Sequence, residues 1–370
     1  MALFIGLMSG TSMDAVDTAL ADFHGVQPSL IAFHQYPLPP DLTSALIATR
    51  RRAIDLALEQ YGRLHIRVGR LFAEAVEEIL RNASISPQQI AAIGSHGQTI
   101  LHSVKGDEPF SLQIGDPNVI AAITGIATVA DFRGADIAAG GQGAPLTPAF
   151  HESQFRTEAR DRVIVNIGGI ANITILPADP EAPVTGFDTG PGNGLLDDWA
   201  LRHLGVPIDR DGRWSTQGTV DRDLLTKTKS DPYFTLPPPK STGRDYFNLD
   251  WLDGILNAIQ RPLHPQDVQA SLLKFTGETI AEAIVRYAPP GSEVLACGGG
   301  TRNPALMSAL AQLLGQQPVA TTALYGLDPR CIEAVTFAWL AKRRLEGRPG
   351  NLPTVTGARK PVVLGAIYAA

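Results

Sequence analysis

Twice in this chain an apolar run breaks on glycine and resumes as a second apolar run. The first instance is Ala2–Leu7, a break at Ser9-Gly10-Thr11-Ser12, then Ala15–Phe23. The second is Arg162–Gly168, a turn at Gly168-Gly169, then Asn172–Leu176. A short apolar run bounded by turn residues reads as a buried strand, so each instance reads as strand, tight turn, strand. Its recurrence in both halves of the 370 residues predicts two related α/β halves, by architecture more than by residue identity.

The segments between complete the pattern. Leu42–Arg63 reads as an Arg-rich helix. Leu64–Asn82 reads as an amphipathic one, with Leu64, Val68, Leu71, Phe72, Val76 and Ile79 on one face. Ile90–Gly94 reads as a strand, Val119–Ile126 as a helix, and the Gly-rich stretch Val129–Pro148 as a crossover between domains. Further on, Leu195–Leu204, Val268–Tyr287, Asn303–Leu314 and Arg330–Glu346 read as helices, Glu293–Ala296 as a strand, and Asp209–Asn248 as loop. The expected division is 1–130 and 131–346, with the tail 347–370 returning to the first domain.

Composition removes whole classes of function. The net charge is −6 and no basic run exceeds three residues, which argues against nucleic acid as a partner. The longest uncharged apolar stretch, Val119–Ala130, is too short to span a bilayer, so no membrane partner is expected. The N-terminus lacks a basic region and a small-residue cleavage site. Cys297 and Cys331 are the two cysteines, which excludes a disulfide framework and a Cys-rich zinc site. A cytoplasmic location is the simplest expectation. The 36 glycines and 28 prolines sit in short clusters, as backbone-shaped loops require.

Five of those clusters can carry chemistry. Gly10-Thr11-Ser12-Met13-Asp14 offers bare backbone and two hydroxyls to an anion, with Asp14 placed to hold Mg²⁺ through water. It also fits an ordinary hairpin turn. The chain has no Gly-Lys dipeptide, so a Walker A loop is excluded. Gly168 and Gly169, flanked by Asn166 and Asn172, suit a second phosphate contact or a plain hairpin. Gly298-Gly299-Gly300 before a helix suits the close approach of a flat ligand. Asp188, in Gly186-Phe187-Asp188-Thr189-Gly190, is placed either as a general base or as a cap of the helix after it. Ser95, His96 and Gln98 could grip a polar substrate, or His96 could be structural. A serine hydrolase built on Ser9 or Ser95 lacks the Gly-x-Ser-x-Gly elbow, and no His-Glu-x-x-His supports a zinc hydrolase.

The order of motifs is more specific than any one of them. GLMSGTSMDAVD (Gly6–Asp17), SHGQTI (Ser95–Ile100), QIGDPNVIA (Gln113–Ala121), ADFR with ADIAAGGQGAPL (Ala130–Leu146), NIGGIANIT (Asn166–Thr174), GFDTGPGN (Gly186–Asn193) and ACGGGTRNP (Ala296–Pro304) run end to end. Together they resemble the anhydro-N-acetylmuramic acid kinase family, within the acetate and sugar kinase/Hsp70/actin superfamily. One departure is Ala15, where the family's loop often carries Gly. It matters only if that residue needs a positive φ.

The resemblance implies a two-domain ribonuclease H-like, actin-like ATPase fold that closes around ATP, with the chemistry between the domains. It implies that 1,6-anhydro-N-acetylmuramic acid, ATP and water give N-acetylmuramic acid 6-phosphate and ADP, in cell-wall recycling. It extends the phosphate loop through Ala15, Val16 and Asp17, and makes Mg²⁺ the expected metal. It makes Asp188 the base that activates water. It turns the segment of Glu333 toward the sugar, although Glu333 also fits a solvated helix position. Arg133 and Asp136 line the cleft or latch the domains. A homodimer stays open. The competing expectations are a kinase for another amino sugar or acid, an ATP-driven clamp, and a hydrolase.

Overall fold

The computed structural model describes residues 3–10, 13–25, 27–51 and 57–370. The chain divides into two units, one of residues 1–154 with 331–370 and one of residues 155–330.

The first unit begins with an antiparallel meander of β1 (Leu3–Ser9), β2 (Ala15–Asp22) and β3 (Ser29–Pro37). β4 (Ile90–Ser103) lies parallel to β1, and β5 (Phe110–Ile114) folds back on the far end of β4. β6 (Thr128–Ala130) lies parallel to β4.

The second unit repeats the plan. β7 (Arg162–Ile167), β8 (Ile170–Leu176) and β9 (Thr185–Pro191) form an antiparallel meander. β10 (Glu293–Cys297) lies parallel to β7, and β11 (Val319–Thr321) parallel to β10. Counted from the meander, the second sheet runs third, second, first, fourth, fifth, and the first runs third, second, first, fourth, sixth, with β5 a hairpin off the fourth. In the first unit β12 (Ala366–Tyr368) adds antiparallel to β6 at the sheet's end. The two strand–turn–strand segments are thus the opening hairpins of two sheets of the same topology, the ribonuclease H-like plan expected.

Alternation along β1 decides which helix covers which face. Leu3, Ile5 and Leu7 enter the core with Leu64, Val68, Phe72 and Ile79 of the helix Leu58–Ala83. On the opposite face, Gly6 of β1 and Gly94 of β4 receive the helix Ile332–Leu345. A Cβ on Gly6 would sit 1.7 Å from the Ala334 carbonyl oxygen, and one on Gly94 would sit 1.9 Å from that of Phe337. Only bare backbone admits the helix so close. In the second unit Val163, Val165 and Ile167 pack against Leu272, Ile280 and Ile284 of the helix Pro265–Tyr287.

Several boundaries differ from those expected. Residues 131–154 and the helix Ile332–Leu345 belong to the first unit rather than the second. The ties are physical: Asp136, fully buried, accepts from the Gly143 N–H at 2.7 Å, Asn351 Nδ2 at 2.6 Å and Thr356 Oγ1 at 2.7 Å. The described helices here are Pro40–Arg51 and Leu58–Ala83, and the second runs straight through the expected boundary at 63/64. The stretch 209–248 holds a helix, Arg222–Lys229, capped by Asp221, and three 3₁₀ turns. Among the described residues, no helix is long and apolar enough to cross a membrane.

Candidate active site

Asp188 lies on β9, beside Asn172 of β8. Immediately after it the register slips, Asn172 opposing Asp188 and Ala171 opposing Gly190. Thr189 is the extra residue of this bulge, and its hydroxyl donates to the Ala171 carbonyl at 3.2 Å. A bulge bends a strand and re-aims the side chain beside it. The Asp188 carboxyl is half-buried. Its Oδ2 accepts from the Thr242 N–H at 2.9 Å, and Oδ1 has no hydrogen-bond donor among the described residues. Burial pushes its pKa up to about 6, opposed by the Thr242 hydrogen bond and the positive charge of Lys240. The helix Gly194–Leu204 has Asn193 at its N-cap, so Asp188 does not serve as its cap.

The other glycine motifs of this unit meet near that helix start. Gly168 and Gly169 turn between β7 and β8, and their carbonyls accept from the N–H groups of Gly192, Asn193 and Gly194 at 2.8–3.1 Å. Gly298 and Gly300 abut the same place. Gly298 has φ +86°, and a Cβ there would meet Asn166 Oδ1 at 2.5 Å. A Cβ on Gly300 would meet Ile167 and Asn193 Oδ1, the latter at 2.5 Å. Gly299 differs: its φ is not positive, and the nearest atom to a Cβ is Asn193 Nδ2 at 3.9 Å. Gly168 is similar, with its nearest neighbour at 3.4 Å. The fold therefore needs glycine at 298 and 300, whereas at 168 and 299 it leaves room above the backbone. Asn193 Oδ1 is buried with no hydrogen-bond partner. Open backbone and an unsatisfied buried carbonyl fit a polar, flat ligand here.

In the first unit, Thr11 and Ser12 lie outside the described residues. Around them, Gly10 has no atom within 4 Å of a Cβ position. Met13 turns back, its N–H donating to the Gly10 carbonyl at 3.3 Å, and takes φ +53° with its side chain buried. Ala15 opens β2 opposite Pro37 without a positive φ, so alanine fits that position without strain. Val16 is buried, Asp17 accepts from Gln35 Nε2 at 2.8 Å, and Asp14 is exposed.

Ser95, His96 and Gln98 are all buried on β4. Gln98 Oε1 accepts from Ser9 Oγ at 2.6 Å, and Ser95 Oγ has no partner. His96 uses both ring nitrogens within the protein. Nδ1–H donates to the Gly97 carbonyl at 2.8 Å, leaving Nε2 to accept from Arg133 Nη2 at 2.8 Å and Nε at 3.2 Å. Burial, then the charge of Arg133, hold its pKa down to about 3, so the ring is neutral. His96 thus grips Arg133 rather than a substrate. Burial lowers Arg133 to about 10, opposed by the charges of Glu333 and Asp136. Arg133 Nη1 also donates to the Gly143 carbonyl at 2.6 Å. Glu333 stands in the first turn of the helix Ile332–Leu345, half-buried. The three groups that donate to Asp136, from Gly143, Asn351 and Thr356, lie in its own unit.

Sequence reasoning missed Tyr233, Lys240 and Thr242, which surround Asp188. It also missed Asn193, whose position before an apolar helical run was the available signal. Among the described residues, no cluster of three or more His, Cys, Asp or Glu is arranged to hold a metal ion.

Comparison with known proteins places these features in context. A family described as anhydro-N-acetylmuramic acid kinase matches residues 2–370. An anhydro-N-acetylmuramic acid kinase of Coxiella burnetii is 50% identical over 99% of this chain and 97% of its own length. One from Xanthomonas campestris is 48% identical over 100% and 97%. Among solved structures, an activator of 2-hydroxyisocaproyl-CoA dehydratase from Clostridium difficile with bound ADPNP aligns at a TM-score of 0.48. Its identity is 11%, with 93% of this chain and 96% of that one covered.

Proposed function

Because the chain belongs to the anhydro-N-acetylmuramic acid kinase family, we propose that it opens the anhydro ring of 1,6-anhydro-N-acetylmuramic acid with water and phosphorylates O6 from ATP. The products are N-acetylmuramic acid 6-phosphate and ADP, and the role is the recycling of cell-wall sugars in the cytoplasm. The observation that carries this reading is the Asp188 carboxyl: half-buried, held through one oxygen, and pushed up to about 6.

A sugar kinase ordinarily removes a proton from a free hydroxyl. In the anhydro sugar O6 is bonded to C1, so there is no such proton to remove. Asp188 instead takes a proton from water, and the water oxygen bonds to C1. The C1–O6 bond breaks, and O6 accepts the γ-phosphoryl group of ATP. One carboxylate acting as base on water is the logic of inverting glycoside hydrolysis. Capture of O6 by phosphorus removes the need for a separate acid. A pKa near 6 leaves Asp188 ionised at neutral pH and still basic enough to accept the proton.

Phosphoryl transfer needs positioning and charge neutralisation. The backbone at Gly10, Gly168 and Gly169, with Asn172, would hold the phosphates. Thr11, Ser12 and the segment Met13, Ala15, Val16 and Asp17 complete that loop. Gly298, Gly299 and Gly300 would flank the nucleoside. Mg²⁺, when bound, neutralises phosphate charge, and Asp14 would hold it through water. Ser95, Gln98 and Glu333 would contact the sugar, with Arg133 fixed by His96 beside them.

Incubation with ATP, Mg²⁺ and the anhydro sugar in ¹⁸O water tests the whole reading. Label at C1 with phosphate on O6 is expected. Phosphorylation without label would reject water attack, and no sugar phosphate would reject the kinase reading. Phosphorylation of other free amino sugars instead would select the alternative substrate class.

A further inference from the structure

The segment from Asp231 to Thr242 meets β9 at Asp188 and at the bulge beside it. Tyr233 Oη donates to the Asp188 carbonyl at 2.6 Å. The Asp188 N–H donates to the Lys240 carbonyl at 3.1 Å. The Thr242 N–H donates to Asp188 Oδ2 at 2.9 Å. Two residues on, Gly190 (φ +140°) leaves the space that the Phe234 ring fills, since a Cβ there would lie 2.8 Å from the ring. One segment therefore holds the backbone N–H, the backbone carbonyl and one side-chain oxygen of the same aspartate.

The segment is itself anchored. Asp231 accepts from the Tyr233 N–H at 2.9 Å, from Trp251 Nε1 at 2.9 Å and from Tyr246 Oη at 3.0 Å. Phe234 stacks edge-on with Phe275. Lys240 folds over the Tyr233 ring, its Nζ 4.5 Å from the centroid, and donates to the Tyr233 carbonyl at 3.2 Å. That places its ammonium where its charge acts on Asp188.

We infer that Tyr233 and Lys240 are positioning residues for the Asp188 base. Tyr233 fixes the strand that aims the carboxylate, and Lys240 clamps the ring and carbonyl of Tyr233 that make this contact. The inference rests on the reading of Asp188 as base. The charged and titratable groups facing this aspartate are Lys240 and the Tyr233 phenol, and Arg286 of the helix Pro265–Tyr287 acts in turn on Lys240. An ammonium beside a carboxylate lowers its pKa, and removing it reverses that.

The test uses Lys240→Met, Lys240→Arg and Tyr233→Phe in the full chain, with ¹³C NMR titration of the Asp188 carboxyl alongside kinetics. Lys240→Met is expected to raise the Asp188 pKa, and the acid limb of kcat/KM, by roughly one pH unit. Lys240→Arg restores both. Tyr233→Phe is expected to lower kcat about tenfold or more with KM for ATP unchanged, because the aim of the base is lost and not the nucleotide site. Unchanged titration in Lys240→Met, or parental kcat in Tyr233→Phe, overturns the inference. A general loss of structure would show as a lowered Tm with KM for ATP raised as well, and that result also counts against positioning. Asp188→Asn separates the two levels: if it turns over, the base reading fails, whereas if it is dead and the other variants behave like the parent, only the present inference fails.

Discussion

Buried His96 and half-buried Arg133 form a pair in which the arginine is the donor and the neutral imidazole Nε2 the acceptor. The ring is held as the Nδ1–H tautomer by the Gly97 carbonyl. This arrangement fails when the ring gains a proton, since a charged imidazolium would face a guanidinium. His96 is held well below its unfolded value of about 6.5, so the unfolded chain binds the extra proton first. Stability is therefore full above about pH 6.5 and is lost as pH falls toward 3. His151, buried and held at about 3 by desolvation, adds a second such contribution. Urea unfolding across that range is expected to show a slope that shrinks by about 1.4 kcal/mol per pH unit in His96→Gln. An unchanged slope would mean that His96 is already protonated in the folded protein.

Asp188 carries the opposite sign. Its folded pKa, about 6, lies above the unfolded value, so the native state keeps the proton longer. Stability from this group is present below about pH 4 and lost as pH rises through 6. Asp188→Asn removes that cost while an amide oxygen still accepts from Thr242. The variant is expected to be inactive, to bind a non-hydrolysable ATP analogue as the parent does, and to be more stable at pH 8 by on the order of 2–3 kcal/mol. Scanning calorimetry at pH 8 and pH 4 checks this: the gain should vanish at the lower pH.

The pH dependence of turnover follows from the same group. A base works only when ionised, so kcat/KM should fall tenfold per pH unit below about 6 and level off above it. A profile flat from pH 5 to 8 would remove Asp188 from the proton-transfer step.

Gly6→Ala and Gly299→Ala should separate packing from binding. At Gly6 the new methyl would collide with the Ala334 carbonyl oxygen in a packed helix, and overpacking of this kind costs about 1–3 kcal/mol or more. At Gly299 the methyl meets nothing closer than 3.9 Å, so stability should stay within about 0.5 kcal/mol. The expected cost there is instead a raised KM for ATP. Thermal melts and nucleotide titration of both variants test the contrast, which would collapse if Gly299→Ala bound ATP normally.

Asp136→Ala should loosen the C-terminal tail. The substitution strands three buried donors, from Gly143, Asn351 and Thr356. Each buried donor left unsatisfied costs about 1–3 kcal/mol. Limited proteolysis should then cut within 347–370 faster than in the parent, and equal cutting rates would show that other contacts hold the tail.

Much of this was legible in the residues. The two opening hairpins announced themselves because apolar runs meeting glycine leave few alternatives to a strand and a turn. Asp188 stood out as an acid amid glycines. The return of the helix Ile332–Leu345 to the first unit did not, because periodicity tells that a helix forms and not which sheet receives it. Its trace was there in Gly6 and Gly94, glycines inside strands where a side chain would normally pack. The segment Asp231–Thr242 was hidden by its polarity. Proline and charge made it look like solvent-exposed loop, yet Asp231-Pro232 followed by Tyr233 and Phe234 is a capped turn with two rings to bury. The role of His96 was unreadable for another reason: its partner Arg133 lies far along the chain, and only tertiary structure brings the two nitrogens to one ring.

The helix laid on Gly6 and Gly94 also sets an order of events during synthesis. The first unit cannot cover that face of β1 and β4 until residue 345 has left the ribosome. Before then, the whole of residues 155–330 has been made, and these form a contiguous unit of their own. At ~5–20 residues per second, the N-terminal sheet waits on the order of ten to forty seconds with that face unclosed. The second unit is therefore expected to be the first to finish, although it is translated later. In a nascent chain stalled after residue 330, the N-terminal sheet is where a chaperone should be found.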